Sequence, residues 1–394
     1  MQEHVKVSPR PAPLSPWWRH AVILTMIGGF TVLIWLSLRV YHDAPPIPAQ
    51  VVSQAGDTVF THADILAGQH LFLRYGLMEN GSIWGHGAYL GPDFSAAYLH
   101  ALALDVREQR ATAQYNRHFA ALHETQRRAV EAEVHHLLKQ NRYDTLTRTL
   151  VFTPPEVTSF DKQIIQWGAY FSHPTISAGL PHGYITDPQE LRQLTAFFAW
   201  TAWASVAARP GKTYSYTNNF PYEPLVGNVP TSEAVLWSAL SLIALLAGIA
   251  GVLFAFGKFS FLGWREEREH VHPHMLPGTT TASQQASIKY FVLVALLFLA
   301  QVLVGGVTAH YRADPGSFYG LDLSGWLPSH LVRTWHLQLA IFWVATAYIA
   351  GGLFLAPAVG GREPAGQVAG VNVLCGALVL VVVGSLGGEW LGLN

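Results

Sequence analysis

Two stretches hold the side chains whose types and positions are best suited to chemistry. His336 lies just inside a long apolar run in LVRTWHLQLAIFW, and His310 and Asp314 follow another apolar run in AHYRADPGSFYG. An imidazole among apolar residues is costly without a partner. His336 is therefore either a haem axial ligand or a histidine hydrogen-bonded between helices, and its position alone leaves both interpretations open.

His310 and Asp314 are four residues apart, so they share one face if the helix continues for a turn. A histidine and a carboxylate within hydrogen-bond reach of one ring can accept the two protons that a quinol releases on oxidation. The simpler alternative is a helix-end pair in which Asp314 forms a turn before Pro315.

The segment GSIWGHGAYLGPDFSAAYLH, residues 81–100, combines glycines with aromatic residues, and we expect it to be too kinked for a helix. Backbone carbonyls and the Tyr89 hydroxyl are oxygen ligands of the kind that calcium prefers. The segment is thus either a cation site or a glycine-rich turn packed on the membrane surface. A similar choice applies to the loop REEREHVHPHMLP, whose alternating histidines indicate either a metal site or, more simply, a solvated charged loop.

The composition indicates a membrane protein, because half of the 394 residues are hydrophobic and only 12% are charged. A net charge of −1 gives no basic surface for a nucleic-acid partner. Cys375 is the single cysteine, so the chain has no disulfide and no CxxCH motif for covalent haem. Histidine, with 19 copies, is the expected ligand for any cofactor.

Five apolar stretches are long enough to cross a bilayer, which takes about 20 residues. They are residues 21–38, 234–257, 290–309, 335–361 and 364–388. The first is predicted to be a retained anchor, because no small-residue cleavage site follows it. The middle of the long polar segment between the first two spans predicts two amphipathic helices, and its end, RPGKTYSYTNNFPYEPLVGNVP, predicts irregular structure.

The predicted fold is mainly α, a polytopic membrane protein with a large extramembrane domain between its first and second spans. We assign residues 1–41 to a cytoplasmic tail and anchor, 42–232 to the extramembrane domain and 233–394 to a four-helix membrane core. Lysines and arginines cluster before the first span and between the second and third. The positive-inside rule then places the N-terminus in the cytoplasm and the large domain outside.

Four separate segments carry a family resemblance: ENGSIWGHGAYLGPDFSAAYLH, AARPGKTYSYTNNFPYEP, AHYRAD and RTWHLQLAIFWVATAYIAGGLFLAP. Together they resemble the N-terminal half of quinol-dependent nitric oxide reductase, a member of the haem-copper oxidase superfamily, from about residue 21 to the end. The resemblance implies an outer domain that is cytochrome c-like but haem-free, which agrees with the lack of a CxxCH motif. It also implies the cytoplasmic membrane of a prokaryote, with the large domain periplasmic or extracellular.

The same resemblance assigns roles to individual residues. The histidine of RTWH, His336, would be one axial ligand of a low-spin haem b, and the AHYR segment would place His310 and Asp314 in a quinol pocket. Relatives commonly have Glu where this chain has Asp314, so we expect the shorter carboxylate to hold the quinol differently or through a water. Gly87 and Tyr89 would bind a calcium that bridges haem propionates, which makes their loop a lid that docks the outer domain on the haem edge.

The family reaction converts two NO, two electrons and two protons into N2O and water at a haem b3 and non-haem iron pair. The ligands of that pair lie in later helices of the family, whereas this sequence stops at GGEWLGLN. We therefore expect the remaining C-terminal helices or a second chain as partners, and no catalytic residue and no activity in this chain alone. The alternatives are a non-catalytic assembly or binding protein and a quinol oxidase of the same superfamily.

Overall fold

A computed structural model describes residues 16–258, 280–317, 319–360 and 362–393. The histidines of REEREHVHPHMLP lie outside these residues. So do Lys6 and Arg10 before the first span and Arg265 and Arg268 between the second and third, which support the predicted orientation. The predictions for all of these residues stay untested. The described residues form ten α-helices and six short strands, and the fold is mainly helical as predicted.

Five helices are long and apolar enough to span a membrane, which confirms the predicted number. They are α1 (Pro16–His42), α7 (Ser232–Lys258), α8 (Ala282–Ala313), α9 (Ser329–Gly360) and α10 (Gln367–Leu393). Most extend beyond the predicted limits, because an apolar run marks the hydrocarbon layer, whereas backbone hydrogen bonding continues into flanking polar residues. His336 therefore lies about two turns inside α9 and not at its first residue.

Helices α8, α9 and α10 pack against one another, with the longest contact between α8 and α9. One apolar cluster joins Leu297, Leu339 and Val382, and a second joins Tyr290, Ala350 and Val371. The Tyr290 hydroxyl donates to the Val371 carbonyl at 2.8 Å, which satisfies a polar group inside the apolar contact. Helix α1 belongs to a separate compact unit that ends at Pro46.

The domain between the first two spans contains five helices and a four-stranded sheet. The helices are α2 (His62–Arg74), α3 (Phe94–Tyr115), α4 (Glu124–Lys139), α5 (Pro154–Tyr170) and α6 (Pro188–Val206). The strands are β1 (Gln50–Ser53), β2 (Thr58–Thr61), β5 (Tyr143–Asp144) and β6 (Thr149–Phe152), in the order β2-β1-β6-β5. Strands β1 and β6 are parallel and the other pairs are antiparallel.

Helix α6 forms the centre of this domain, because every residue from Leu194 to Val206 is buried. Asp187 caps its first turn by accepting bonds from two backbone amides. Phe198 stacks on Phe94 at a centroid distance of 4.8 Å, and Phe72 and Trp167 pack around this pair. The interior is thus filled by aromatic rings.

The two predicted amphipathic helices are confirmed as α3 and α4, although residues 143–152 form strands instead of continuing the helical pattern. The prediction that residues 81–100 avoid a helix is wrong for its last seven residues, since α3 begins at Phe94. Asp93 starts this helix by accepting a bond from the Ala96 amide at 2.9 Å. The final glycine of the segment, Gly91, lies outside the helix, so nothing opposes helix formation after Asp93.

Candidate functional site

The His336 ring lies in the contact between α8 and α9. Its Nδ1 is 3.0 Å from the Gln301 backbone carbonyl, which can only accept a hydrogen bond. Nδ1 therefore carries the proton, and Nε2 is the nitrogen with the lone pair. The sequence left the interhelical hydrogen bond and the haem-ligand role as alternatives. They use different ring nitrogens, so His336 can make the hydrogen bond through Nδ1 and still bind a metal through Nε2.

Gln301 contacts α9 a second time through its side chain. Trp343 Nε1 donates to Gln301 Oε1 at 3.1 Å, and the Trp343 ring meets Phe298 edge to face at 5.3 Å. Trp343 follows His336 by two helical turns, so a single residue of α8 contacts the same side of α9 at two levels. Gln301 was missed in the sequence, although a lone amide inside an apolar span is a recognised signal of a polar contact.

A histidine ligand for haem needs an exposed lone pair and a second ring nitrogen that is held by an acceptor. His336 meets the second requirement through the Gln301 carbonyl, which leaves Nε2 as the nitrogen that would bind one axial position of a haem. When bound, a haem would supply one-electron redox chemistry at this point.

His310 and Asp314 are brought together through Ser317 at the end of α8. His310 Nε2 is 2.7 Å from the Ser317 carbonyl, and the Ser317 hydroxyl donates to Asp314 Oδ2 at 3.0 Å. Asp314 is exposed, and its amide caps the helix by donating to the His310 carbonyl. The ring of Tyr319, which is 82% exposed, lies 4.8 Å from that of His310. The pair is therefore close together, inside a turn that solvent reaches.

The predicted calcium segment forms a hairpin of two short strands, β3 (Ser82–Ile83) and β4 (His86–Gly87). Gly87 has φ of 143°, and a side chain there would overlap the Gly81 carbonyl, so only glycine fits. The Tyr89 side chain is 74% exposed, and its hydroxyl donates to the Gly85 carbonyl at 3.3 Å. Among the described residues, no group of three His, Cys, Asp or Glu side chains is arranged for a metal ion. The calcium assignment to Gly87 and Tyr89 stays a prediction.

The large domain contacts the first turn of α9 directly. Glu79, one turn before the hairpin, forms an ion pair with Arg333. The Ser329 amide donates to the Gly179 carbonyl at 2.9 Å, and the buried His330 ring is 3.1 Å from the Tyr184 hydroxyl. These contacts hold the large domain against α9, the helix that carries His336. The sequence analysis did not predict any of the individual contacts.

Two tyrosines of the large domain support this contact as neutral groups. Burial, followed by the proximity of Tyr75, raises the pKa of Tyr184 above its usual range. Burial and a hydrogen bond to Glu190 raise the pKa of Tyr75 to about 12. Both phenols therefore keep their protons at neutral pH and serve as hydrogen-bonding groups.

A second contact joins the large domain to the loop between α8 and α9. His182 Nε2 lies 2.9 Å from Asp322 Oδ2, and the Ser324 hydroxyl and amide donate to Asp322 Oδ1. The bonds from Ser324, and then the His182 ring, hold the pKa of Asp322 below its usual range. Asp322 is therefore ionised at neutral pH and can accept a hydrogen bond from the His182 ring.

Comparison with known families assigns both parts of the chain. A family model for the cytochrome c-like domain of nitric oxide reductase matches residues 48–222. A second family model, cytochrome c and quinol oxidase polypeptide I, matches residues 285–393. No curated protein sequence matches the chain. The first match covers the large domain between the first two spans, and the second covers α8, α9 and α10, so the chain belongs to the nitric oxide reductase and haem-copper oxidase family.

Proposed function

We propose that this chain forms the quinol-oxidising part of a nitric oxide reductase, with His336 as one axial ligand of a low-spin haem b. The observation that carries the proposal is the bond between His336 Nδ1 and the Gln301 carbonyl, which makes Nε2 the lone-pair nitrogen. A histidine packed only for structure needs no particular nitrogen to remain basic, whereas a metal ligand does.

We further propose that His310 and Asp314 bind the quinol and accept its protons. The His310 ring and the Asp314 carboxylate lie on either side of Ser317, in a turn that is partly open to solvent. We assign one quinol proton to the His310 ring and the other to Asp314, one helical turn away. Each of the two quinol hydroxyl groups then has its own proton acceptor, and Asp314 can pass its proton to water.

The partners in this proposal follow from the family. A low-spin haem needs a second axial ligand, and NO reduction needs haem b3 and non-haem iron, which we assign to further helices of the same polypeptide or of a second chain. Calcium at Gly87 and Tyr89 would bind close to the Glu79 turn that contacts α9. The lysines and arginines flanking the spans support a cytoplasmic N-terminus and a large domain on the outer side of a prokaryotic cytoplasmic membrane.

The match of residues 48–222 to a nitric oxide reductase domain favours this function over a quinol oxidase, which shares only the membrane plan. The match of residues 285–393 to the membrane core of an oxidase family favours it over a non-catalytic assembly protein.

The test is the haem spectrum of the completed enzyme, in which this chain is expressed with the remaining helices. We expect a low-spin haem b spectrum in the unsubstituted protein and its loss in His336→Ala, because the substitution removes the Nε2 ligand. His330→Ala is the matched control. It removes another histidine of α9, whose ring contacts the Tyr184 hydroxyl. An unchanged low-spin spectrum in His336→Ala would show that the ligand assignment is wrong.

A further inference from the structure

Gly305 lies directly against the His336 ring where α8 meets α9. A Cβ atom added at position 305 would be 2.7 Å from His336 Cε1 and 2.8 Å from Nδ1. Carbon atoms in contact are normally separated by about 3.5 Å or more, so even alanine would displace the ring. A Cβ atom added at the adjacent Gly306 would have no atom within 4 Å. This contact therefore requires glycine at position 305 but not at position 306.

Gly305 also leaves room around the carbonyl that receives the His336 proton. In an α-helix the amide of residue 305 donates to the carbonyl of residue 301. A carbonyl oxygen has two lone pairs, so the Gln301 oxygen can accept a second bond from the side. His336 Nδ1 makes that second bond at 3.0 Å. A methyl group on residue 305 would occupy the space from which the ring approaches.

Gln301 is held in place by the second contact with α9. Its side-chain oxygen accepts from Trp343 Nε1, so α8 cannot rotate or slide relative to α9 at this level without breaking that bond. The ring of His336 is therefore constrained on two sides, by the hydrogen bond at Nδ1 and by the close approach to residue 305.

We propose that Gly305 and Gln301 are positioning residues that keep His336 protonated on Nδ1 and orient its Nε2 for haem. The inference rests on the proposed function for the haem part, whereas the tautomer and ring position are properties of the chain itself. It predicts that a single methyl group at residue 305 is enough to weaken haem binding.

The experiment compares Gly305→Ala with Gly306→Ala in the chain expressed with the remaining helices, purified in detergent without haem and titrated with ferric protoporphyrin IX. Alanine favours a helix over glycine equally at both positions, so helix propensity cancels between the variants. Losses of roughly 10- to 100-fold in affinity are typical when a residue that orients a metal ligand is changed. Haem affinity is measured from the Soret absorbance. We expect a loss of that size in Gly305→Ala. In Gly306→Ala we expect the same affinity as in the unsubstituted chain.

A second readout uses no haem. Nitrogen-15 NMR of the histidine-labelled chain reports which ring nitrogen is protonated, and the signal of His336 is identified by its loss in His336→Gln. We expect protonation on Nδ1 in the unsubstituted chain and in Gly306→Ala, and a mixture of tautomers in Gly305→Ala. A merely structural role for Gly305 would lower the unfolding temperature without changing this signal.

Equal haem affinity and the same His336 tautomer in the two alanine variants would overturn the inference. If neither the unsubstituted chain nor Gly306→Ala binds haem while both remain helical by circular dichroism, the haem assignment fails. The tautomer comparison then still decides whether Gly305 positions His336.

Discussion

The middle and the C-terminal end of α8 differ in the groups that surround their histidines. In the middle, the His336 ring is fixed between two helices by the Gln301 carbonyl and by close packing against Gly305. At the end, His310 lies in a turn with exposed Asp314, and its neighbour Tyr319 is 82% exposed. Gln301 and His310 are about two and a half helical turns apart, and both histidines are half-buried, but the groups beside His310 are exposed.

The difference matches the chemistry proposed for each region. A ligand that stays bound works best when packing and hydrogen bonds lock its rotamer, so that little reorganisation accompanies electron transfer. Groups that bind a substrate and release protons must be reached by substrate and by water, which favours a turn at a helix end. Changes in the middle of α8 should therefore alter cofactor affinity, and changes at its end should alter turnover.

The largest expected effect is at the end of α8. In the completed enzyme, Asp314→Asn should lower quinol-driven turnover by about 100-fold, because a positioned general base contributes about 10²- to 10⁴-fold. The haem spectrum should be unchanged. Turnover is measured with a quinol and, separately, with an artificial donor that reduces the haem directly.

Asp314→Glu is the conservative control, since it keeps a carboxylate at this position, and we expect at least partial activity. Equal losses of turnover with the quinol and with the artificial donor would contradict a proton-accepting role for Asp314.

A smaller effect is expected from Trp343→Phe, where α9 meets the middle of α8. The substitution removes the donor to Gln301 Oε1 and leaves that oxygen without its bond, at a cost of about 1 kcal/mol. We expect a few-fold weaker haem binding by Soret titration, because the carbonyl of the same residue orients His336.

Trp335→Phe provides a matched comparison on the same helix. Its indole donates to the Leu386 carbonyl of α10 at 3.1 Å, so the substitution loses a similar hydrogen bond outside the α8 contact. Equal weakening of haem affinity by both substitutions would mean that general destabilisation, and not the position of Gln301, causes the change.

The sequence predicted the elements better than it predicted the contacts between them. Apolar runs determine membrane helices almost alone, so five spans and a large intervening domain follow from composition. His336 is predicted because an imidazole inside an apolar span is costly, and His310 and Asp314 because four-residue spacing puts two bases on one face of a helix end. The partner of His336, however, is a backbone carbonyl, and every residue has one, so the Gln301 amide side chain signals the bond to Trp343 but not the bond to His336.

Other parts of the site depend on long-range packing that no local pattern encodes. Glu79 and Arg333 are 254 residues apart in the chain, and each resembles an ordinary charged residue in its own segment. The start of α3 was missed for a local reason, since the glycines before Asp93 outweighed the capping signal that Asp93 provides. Gly305 and Gly306 are identical neighbours in sequence, and only the position of the facing helix distinguishes them.

Gly316 also makes a close contact, but just after the exposed C-terminal end of α8. A side chain at residue 316 would meet the methyl group of Thr175, an exposed side chain that can rotate away. We expect Gly316→Ala to change quinol-driven turnover by less than about twofold, because relief of such a contact needs only a rotamer change. A loss as large as that of Asp314→Asn would show that the loop after α8 is as tightly constrained as its middle.

The smallest effect concerns the contact between Asp322 and His182 beside the exposed turn. Since the Ser324 bonds and the His182 ring lower the pKa of Asp322 in the folded protein, the unfolded chain binds a proton on this group more readily. The resulting stabilisation is complete above the unfolded pKa of about 3.9 and is lost as the pH falls through the lower folded value. An exposed pair contributes at most about 1 kcal/mol.

The measurement is the unfolding temperature of the unsubstituted chain and of Asp322→Asn at pH 6 and at pH 3. At pH 6 the unsubstituted chain should unfold about 1 to 3 °C higher, and at pH 3 the difference should shrink because Asp322 becomes protonated. A difference that stays constant between the two pH values would mean that the Asp322 carboxylate charge does not hold this loop.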